Sequence, residues 1–413
     1  MSLLILWIVW CPVWANKNSE MFTSSTSGVL VRITTASDNN RSSHSPSLSA
    51  DGTRIAFTSD SDFLNQGLAD NQFEVWLYDT IAMTYTRITT ASDSARDSSS
   101  PSLSADGTRV AFLSNSDLLS QGLSAEQTAA WLYDTTTMTY TRLALVSDGS
   151  PYHPRSIGRP ILSLNGTRIA FHSDSDFLGQ NIPDDQFEIW LYDTTAMTLT
   201  RITTASHFLR SSVYPELNLD GTLVYFYSDS DFLGQGNPYG QFEVWLYNTA
   251  TLTYTRITSS PGRDSAAPVS SADGTRVVFN SDVDFLNQNL HHFEVWLYDT
   301  VAMTYTRVTT SDFPRDSWSH FANLSPSGTK VAFVSDSDFV GQSAVEGDCH
   351  IWLYDIATLT YVLVPDTGYQ GFGVDPISLN TDGSTLAFED GIEIWLYQLL
   401  DMNARIYLPI VSK

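Results

Sequence analysis

Residues 45–58 read SPSLSADGTRIAFT, and residues 73–79 read FEVWLYD. The Asp-Gly pair inside the first stretch predicts a tight β-hairpin, because such turns need a positive φ that glycine adopts without strain. The two halves of that stretch are therefore predicted as strands A and B. The second stretch is predicted as strand C and residues 84–90 (TYTRITT) as strand D, since all four are rich in β-branched and aromatic residues.

The same pattern recurs seven times along the chain. A turn dipeptide and then a Trp-Leu-Tyr triplet mark each copy, and the turns follow one another at steps of 53 to 59 residues. Two independent markers thus agree on seven repeats. The turns begin at Asp51, Asp106, Asn165, Asp220, Asp273, Ser327 and Asp382, and the triplets begin at Trp76, Trp131, Trp190, Trp245, Trp296, Trp352 and Trp395.

Strand C is apolar on both of its faces. Side chains alternate along a strand, so Val75 and Leu77 point to one face while Trp76 and Tyr78 point to the other. Such a strand must be covered on both faces, and the stacked blades of a β-propeller provide that cover. No helical periodicity occurs, which argues against a solenoid or a TIM barrel. We therefore predict an all-β fold, a seven-bladed β-propeller of four-stranded antiparallel blades.

The string SPSLSADGTRIAFTSD, followed by FEVWLYD and TRITT, resembles the WD40-like PD40 repeat of TolB-type propellers. The resemblance covers residues 28–398. It implies the propeller fold and says little about function, because propellers serve many roles. The segment between strands B and C is longer here than the usual hairpin of that family.

Two segments compete to complete the seventh blade. Residues 29–35 (VLVRITT) match strand D but have no strands A to C before them, so we expect this N-terminal strand to close the ring. Residues 405–410 (RIYLPI) lie at nearly the right distance after Trp395 to be strand D instead. In the favoured arrangement, residues 399–413 form a C-terminal tail that serves as an outer strand or an attachment segment.

Composition bounds the location and the partners. The 413 residues carry a net charge of −25 and a pI near 4.4, which argues against nucleic acid as a partner. The apolar residues 3–10 (LLILWIVW) are too few to span a bilayer and predict a signal peptide at residues 1–15, although no positive charge precedes them. We expect a secreted, periplasmic or cell-envelope monomer with no transmembrane span. Two cysteines do not make a disulfide scaffold.

Acidic doublets open the connections between strands B and C. Carboxylates spaced as Asp-x-Asp offer hard oxygen ligands that suit calcium, but the other ligands of an EF-hand are missing. The competing interpretation is a turn in which the Asp side chains accept hydrogen bonds from nearby backbone N–H groups. Repeat two has Asn115 and Asp117, and the candidate calcium ligands are Asp60, Asp62, Asp174, Asp176, Asp229, Asp231, Asp282, Asp284, Asp336 and Asp338.

An arginine lies in the D–A connection of six repeats, on the same predicted face as the doublets. These arginines are candidates to bind an anionic ligand, or else each pairs with an Asp doublet nearby. Repeat seven lacks the doublet and has a Gly- and aromatic-rich D–A segment. The candidate binding residues are Arg41, Arg96, Arg155, Arg210, Arg263, Arg315, Tyr369 and Phe372.

No nucleophile elbow, His-Glu-x-x-His motif, P-loop or dinucleotide-binding motif occurs in the sequence. We therefore predict a non-catalytic module that binds a protein, glycan or surface partner through its B–C and D–A connections. The alternative is a propeller hydrolase or lyase that acts on polysaccharide or peptide, with carboxylates at the channel mouth as acid and base.

Overall fold

The structure, a computed structural model, describes residues 28–36, 41–91, 95–146, 155–207, 209–259, 262–288, 292–310, 319–341, 349–365, 367 and 377–400. These residues form seven four-stranded antiparallel sheets and no helix. The predicted seven-bladed β-propeller is thus confirmed. The predicted signal peptide and residues 401–413, including the competing strand, lie outside the described residues.

Each blade runs from an inner strand A to an outer strand D. The predicted elements are right, and their ends shift by up to three residues. In chain order the strands are β1 (Gly28–Arg32), β2 (Ser43–Leu48), β3 (Arg54–Ser59), β4 (Glu74–Asp79), β5 (Thr84–Arg87), β6 (Ser98–Leu103), β7 (Arg109–Ser114), β8 (Ala129–Asp134), β9 (Thr139–Leu145), β10 (Ile161–Leu162), β11 (Arg168–Ser173), β12 (Glu188–Asp193), β13 (Thr198–Arg201), β14 (Ser212–Leu217), β15 (Leu223–Ser228), β16 (Glu243–Asn248), β17 (Thr253–Arg256), β18 (Ser265–Ser270), β19 (Arg276–Ser281), β20 (Glu294–Asp299), β21 (Thr304–Arg307), β22 (Ser319–Leu324), β23 (Lys330–Ser335), β24 (His350–Asp355), β25 (Thr360–Leu363), β26 (Ser378–Leu379), β27 (Thr385–Glu389) and β28 (Ile394–Leu399).

The core lies between blades. Ala56, Val75 and Leu77 of blade 1 pack against Phe112 and Trp131 of blade 2, and equivalent clusters recur around the ring. The Trp of strand C is fully buried in the first six blades. This arrangement explains why strand C is apolar on both faces, because each blade covers its neighbour.

The N-terminal strand closes the ring. β1 pairs antiparallel with β28, in the register Gly28↔Leu399 to Arg32↔Trp395, so it supplies strand D of blade 7. The hydroxyl of Thr34 donates to Glu393 (2.6 Å), and the backbone N–H of Ile33 donates to Ile394 (2.8 Å). Closure by residues from the two ends of the chain leaves blade 7 with the same four strands as its neighbours.

The two faces of the disc differ. The A–B and C–D turns form one face, which we call the turn face, and the B–C and D–A connections form the other, the loop face. At the turn face, backbone hydrogen bonds of 2.7–2.9 Å link each A–B turn to the next and close a ring of seven. Gly107 (φ 68°) shows why glycine is needed there, since a Cβ would lie 2.7 Å from Cδ of Arg54 in the preceding blade. The seven bonds start at the N–H groups of Ala50, Ala105, Asn165, Leu219, Ala272, Ser327 and Thr381.

Candidate functional site

In blades 1, 3 and 4, the first Asp of the doublet links the two connections of its own blade. Asp60 accepts the backbone N–H of Ser42 (2.8 Å) with one oxygen and that of Asn71 (3.0 Å) with the other. Asp174 and Asp229 repeat this arrangement in blades 3 and 4. Burial raises the pKa of Asp174, and likewise the pKa values of Asp229 and Asp282.

The second Asp caps the loop that follows it. Asp62 accepts from the N–H groups of Gln66 (2.8 Å), Gly67 (2.7 Å) and Leu68 (3.1 Å). Slight burial raises the pKa of Asp62, but the hydrogen bonds from these donors together outweigh it and lower the pKa. Equivalent caps are formed by Asp117, Asp176, Asp231 and Asp284. Asp338 instead accepts the N–H groups of Val340 and Gly341, two and three residues on.

The predicted arginines also bind within their own blades. Arg41 donates to the backbone carbonyl oxygens of Asp60 and Leu68 and forms an ion pair with Asp70 (2.5 Å). Arg96, Arg155 and Arg210 contact the same two carbonyl positions, and Arg155 adds an ion pair with Asp184 (2.9 Å). Arg263 donates to the carbonyl oxygen of Asp282 (2.7 Å). Each arginine therefore fixes the B–C connection of its blade.

The remaining sequence predictions concern three candidate binding residues and the calcium site. Arg315, Tyr369 and Phe372 lie outside the described residues. Among the residues that the structure describes, no group of three or more His, Cys, Asp or Glu side chains is arranged to hold a metal ion. The doublet carboxylates already accept backbone N–H groups, so a cation would have to displace or share these bonds.

A set of residues that the sequence reasoning missed surrounds the channel at the loop face. Strand A carries a bulge, seen in blade 1 as a register shift between His44 and Ser47. The residue at the bulge has a positive φ of 50–55° in five blades, although it is not glycine in any of them. In blade 3 the equivalent residue is Arg159, and in blade 7 it lies outside the described residues. The residue type at this position also differs between the blades. We call this set the channel rim: Ser45, Ser100, Arg159, Tyr214, Ala267 and Phe321.

One side of the channel rim is aromatic. Tyr214 stacks on Tyr227 (ring centroids 5.5 Å apart, 12° between planes) and lies 5.2 Å from the ring of His172. Burial lowers the pKa of His172 to about 4, so this ring is neutral, and its Nδ1 accepts the N–H of Tyr214 (3.3 Å). Tyr214 and Phe321 nevertheless stay 43% and 45% exposed. Exposed aromatic surface of this kind suits recognition of a partner.

The opposite side is charged. Buried Glu389 of blade 7 accepts the N–H of Ser45 (2.6 Å) and lies 3.5 Å from Nδ1 of His44, whose Nε2 lies 2.7 Å from the hydroxyl of Ser42. The hydrogen bond with Glu389 raises the pKa of His44 despite opposing burial. The arrangement joins the first and last blades through an acid, an imidazole and a hydroxyl.

A second missed set supports the loop face from inside the blades. Glu74, which is fully buried, accepts from Arg87 (2.8 Å), from the hydroxyl of Thr89 and from the N–H of Ala91 (2.6 Å). Glu243 and Glu294 form the same pair with an arginine of strand D. The sequence signal was the Glu two residues before the Trp and the Arg eleven residues after it.

Fold and site together define a seven-bladed β-propeller with an asymmetric channel rim. No protein-family model matches the chain, and no curated protein matches its sequence. Solved structures do match in fold. An oligogalacturonate lyase in complex with manganese is similar at 13% identity and a TM-score of 0.59, over 92% of this chain and 95% of that one.

Two further structures extend the comparison. An oligogalacturonate lyase from Vibrio parahaemolyticus matches at 12% identity and a TM-score of 0.58, over 91% of this chain and 94% of that one. The β-propeller domain of the trilobed protease from Pyrococcus furiosus matches at 12% identity and a TM-score of 0.55, over 92% and 100%. At these identities the likeness concerns the fold alone.

No helix among the described residues is long and apolar enough to cross a membrane.

Proposed function

We propose that this protein is a secreted, non-catalytic binding module that recognises a protein or glycan partner at the loop face, centred on the channel rim. The observation that carries the proposal is the variation of one structurally equivalent position among otherwise similar blades. This position holds Arg159, Tyr214 and Phe321 in three of the blades, and aromatic residues and arginine are enriched at protein interfaces.

The arginines and Asp doublets support this site from its periphery. Their hydrogen bonds to loop backbone fix the B–C connections, so we assign Arg41, Arg96, Arg155, Arg210 and Arg263 a positioning role around the partner. Charge complementarity favours a neutral or basic partner, because the chain carries −25.

A hydrolase is the second candidate, favoured by the Ser42–His44–Glu389 arrangement. A hydroxyl 2.7 Å from an imidazole that contacts a buried acid has the order of a nucleophile, a base and an orienting group. Two features oppose this role. The N–H groups of Ser42 and Ser43 are already bonded to Asp60 and Ile392, so neither is free for an oxyanion, and the raised pKa of His44 keeps the imidazole protonated to higher pH.

The binding proposal is tested by capture from native culture supernatant and envelope extract. The purified protein is compared with a Tyr214→Ala/Phe321→Ala variant and with Tyr239→Ala, which removes a more exposed aromatic (56%) from a B–C connection. We expect the wild type and Tyr239→Ala to retain the same component and the double variant to lose it, with all three melting as folded proteins. Equal capture by the double variant would refute the site.

A serine-reactive fluorophosphonate probe separates the two candidates. We expect no labelling of the wild type beyond that of Ser42→Ala. Labelling that disappears in Ser42→Ala and in His44→Gln would establish the hydrolase instead.

A further inference from the structure

The C–D turns at the turn face carry an unexpected row of apolar side chains. One equivalent position in each of six turns holds Met or Leu and is 60–75% exposed. Each has a positive φ of 53–58°, where an L side chain is disfavoured and Gly or Asn would fit better. We call these residues the tips: Met83, Met138, Met197, Leu252, Met303 and Leu359.

Folding does not call for these side chains. In the first turn, Oδ1 of Asp79 accepts the N–H groups of Ile81 (2.9 Å) and Ala82 (2.8 Å), so the turn is fixed without help from Met83. Every methionine in the part of the chain that the structure describes occupies a tip. Ile81 and Val301, two residues before a tip, are exposed as well. Apolar surface held outward in a disfavoured backbone conformation points to a partner.

The arrangement of the tips selects the kind of partner. Strand direction places all C–D turns on the turn face, and each tip occupies the same position in the turn that joins the two outer strands of its blade. Tips in separate blades do not line one groove that would hold a peptide. They match a flat and laterally continuous apolar layer, and we propose that the turn face docks on a lipid bilayer with the tips inserted at the level of the headgroups.

Charge on the same face narrows the lipid class. Carboxylates of the A–B and C–D turns outnumber the basic side chains of strand B by two to one, and the ion pairs Lys330–Asp355 (3.0 Å), Arg109–Asp134 (3.6 Å) and Arg168–Asp193 (3.6 Å) neutralise only some of them. An acidic face is repelled by anionic lipid, so the fitting surface has zwitterionic headgroups. The carboxylates are Asp51, Asp79, Asp106, Asp134, Asp193, Asp220, Asp273, Asp299, Asp355 and Asp382, and the basic residues are Arg54, Arg109, Arg168, Arg276 and Lys330.

The path of the chain agrees with this orientation. β28 runs from the loop face to the turn face and ends at Leu399, and the sequence beyond it contains the apolar residues 406–411 (IYLPIV). The last described residues of blade 7 therefore lie on the side of the tips. Binding at this face leaves the channel rim turned away from the membrane and open to its own partner.

Flotation of the full chain with phosphatidylcholine vesicles tests the proposal. A variant with all six tips changed to Asn is compared with the wild type, because Asn tolerates the positive φ and preserves the fold. The matched control changes the less exposed leucines of the B–C connections (38–48%) to Asn. These control residues are Leu64, Leu119, Leu178, Leu233 and Leu286.

We expect the wild type and the loop-face control to float with the vesicles, and the six-tip variant to lose about tenfold or more of its affinity. Replacing a third of the lipid by phosphatidylglycerol should weaken binding, and raising the salt concentration should relieve that loss. Bound protein should also be protected from peroxide oxidation at its four tip methionines, read by mass spectrometry. Failure of the wild type to float, equal binding by the six-tip variant, or loss in the loop-face control would overturn the proposal, and none of these results bears on capture at the channel rim.

Discussion

Replacing Arg87 by Leu should leave the buried charge of Glu74 without its ion-pair partner and destabilise the protein at neutral pH. Glu74 is fully buried, and without Arg87 its carboxylate would keep only the Thr89 hydroxyl and the Ala91 N–H as donors. Breaking a buried ion pair from one side costs about 3–5 kcal/mol. Protonation of the Glu74 carboxylate limits the loss of stability, because protonating a carboxyl of ordinary pKa about 4.3 costs about 4 kcal/mol at pH 7. We expect a loss of about 3–4 kcal/mol.

The same reasoning predicts how the loss depends on pH. At pH 5 the cost of protonation falls to about 1 kcal/mol, so most of the difference between the wild type and Arg87→Leu should disappear. Urea titrations followed by tryptophan fluorescence at pH 5 and pH 7 measure both values. The double variant Glu74→Gln/Arg87→Leu should regain most of the lost stability, because no unpaired charge is left.

Blade 2 supplies the control. Arg142 lies opposite Trp131 as Arg87 lies opposite Trp76, but blade 2 has Ala129 at the position of Glu74. Arg142→Leu should therefore cost less than about 1 kcal/mol at either pH. Equal losses for Arg87→Leu and Arg142→Leu, or a loss for Arg87→Leu that does not change between pH 5 and pH 7, would refute the assignment of a buried pair.

Three other outcomes are expected. The pKa of His44 is raised in the folded state, so its bond with Glu389 stabilises the protein fully below pH 6.5. This stabilisation is lost as the pH rises through the pKa of the folded state. The difference in unfolding free energy between wild type and His44→Gln should therefore be larger at pH 6 than at pH 9. Met83→Asn should stabilise the protein by about 0.5–1 kcal/mol and raise its melting temperature, because Asn adopts the positive φ more readily than Met. A lower melting temperature would show that the Met83 side chain packs in the fold. Melting in EDTA and in excess Ca²⁺ should give the same midpoint, since Asp60 and Asp62 already accept backbone N–H groups; a higher midpoint with Ca²⁺ would support the calcium site instead.

Local sequence sufficed for the strands and for their number. The Asp-Gly turns and the strands apolar on both faces predicted four-stranded blades that cover one another, and residues 29–35 predicted the closing strand, found as β1 at Gly28–Arg32. These features are local or repeated, so they can be predicted without knowing which residues are in contact in the folded protein. Strand ends were less exact. Strand D, predicted to residue 90, ends at Arg87, where Ile88 and Thr89 both turn their N–H groups to the carbonyl of Val75.

The candidate site shows where such reading ends. The Asp doublets and arginines were visible as a pattern, and their two interpretations differ only in which atoms they touch. The structure places Asp60 on backbone N–H groups and Arg41 on backbone carbonyl oxygens. Sequence could not decide this, because ionic ligands and loop supports use the same residue types.

The amino-acid sequence by itself determined that the chain folds as a closed ring of seven blades, because hairpin turns and two-sided apolar strands act within or between adjacent repeats. Only the tertiary structure decided what gathers at the centre and at the edges. Strand A is the inner strand of each blade, so its bulge places Tyr214 and Phe321 at one channel rim, and ring closure brings His44 to Glu389 across 345 residues of chain. Such neighbours arise from the geometry of the whole ring, which no local pattern encodes.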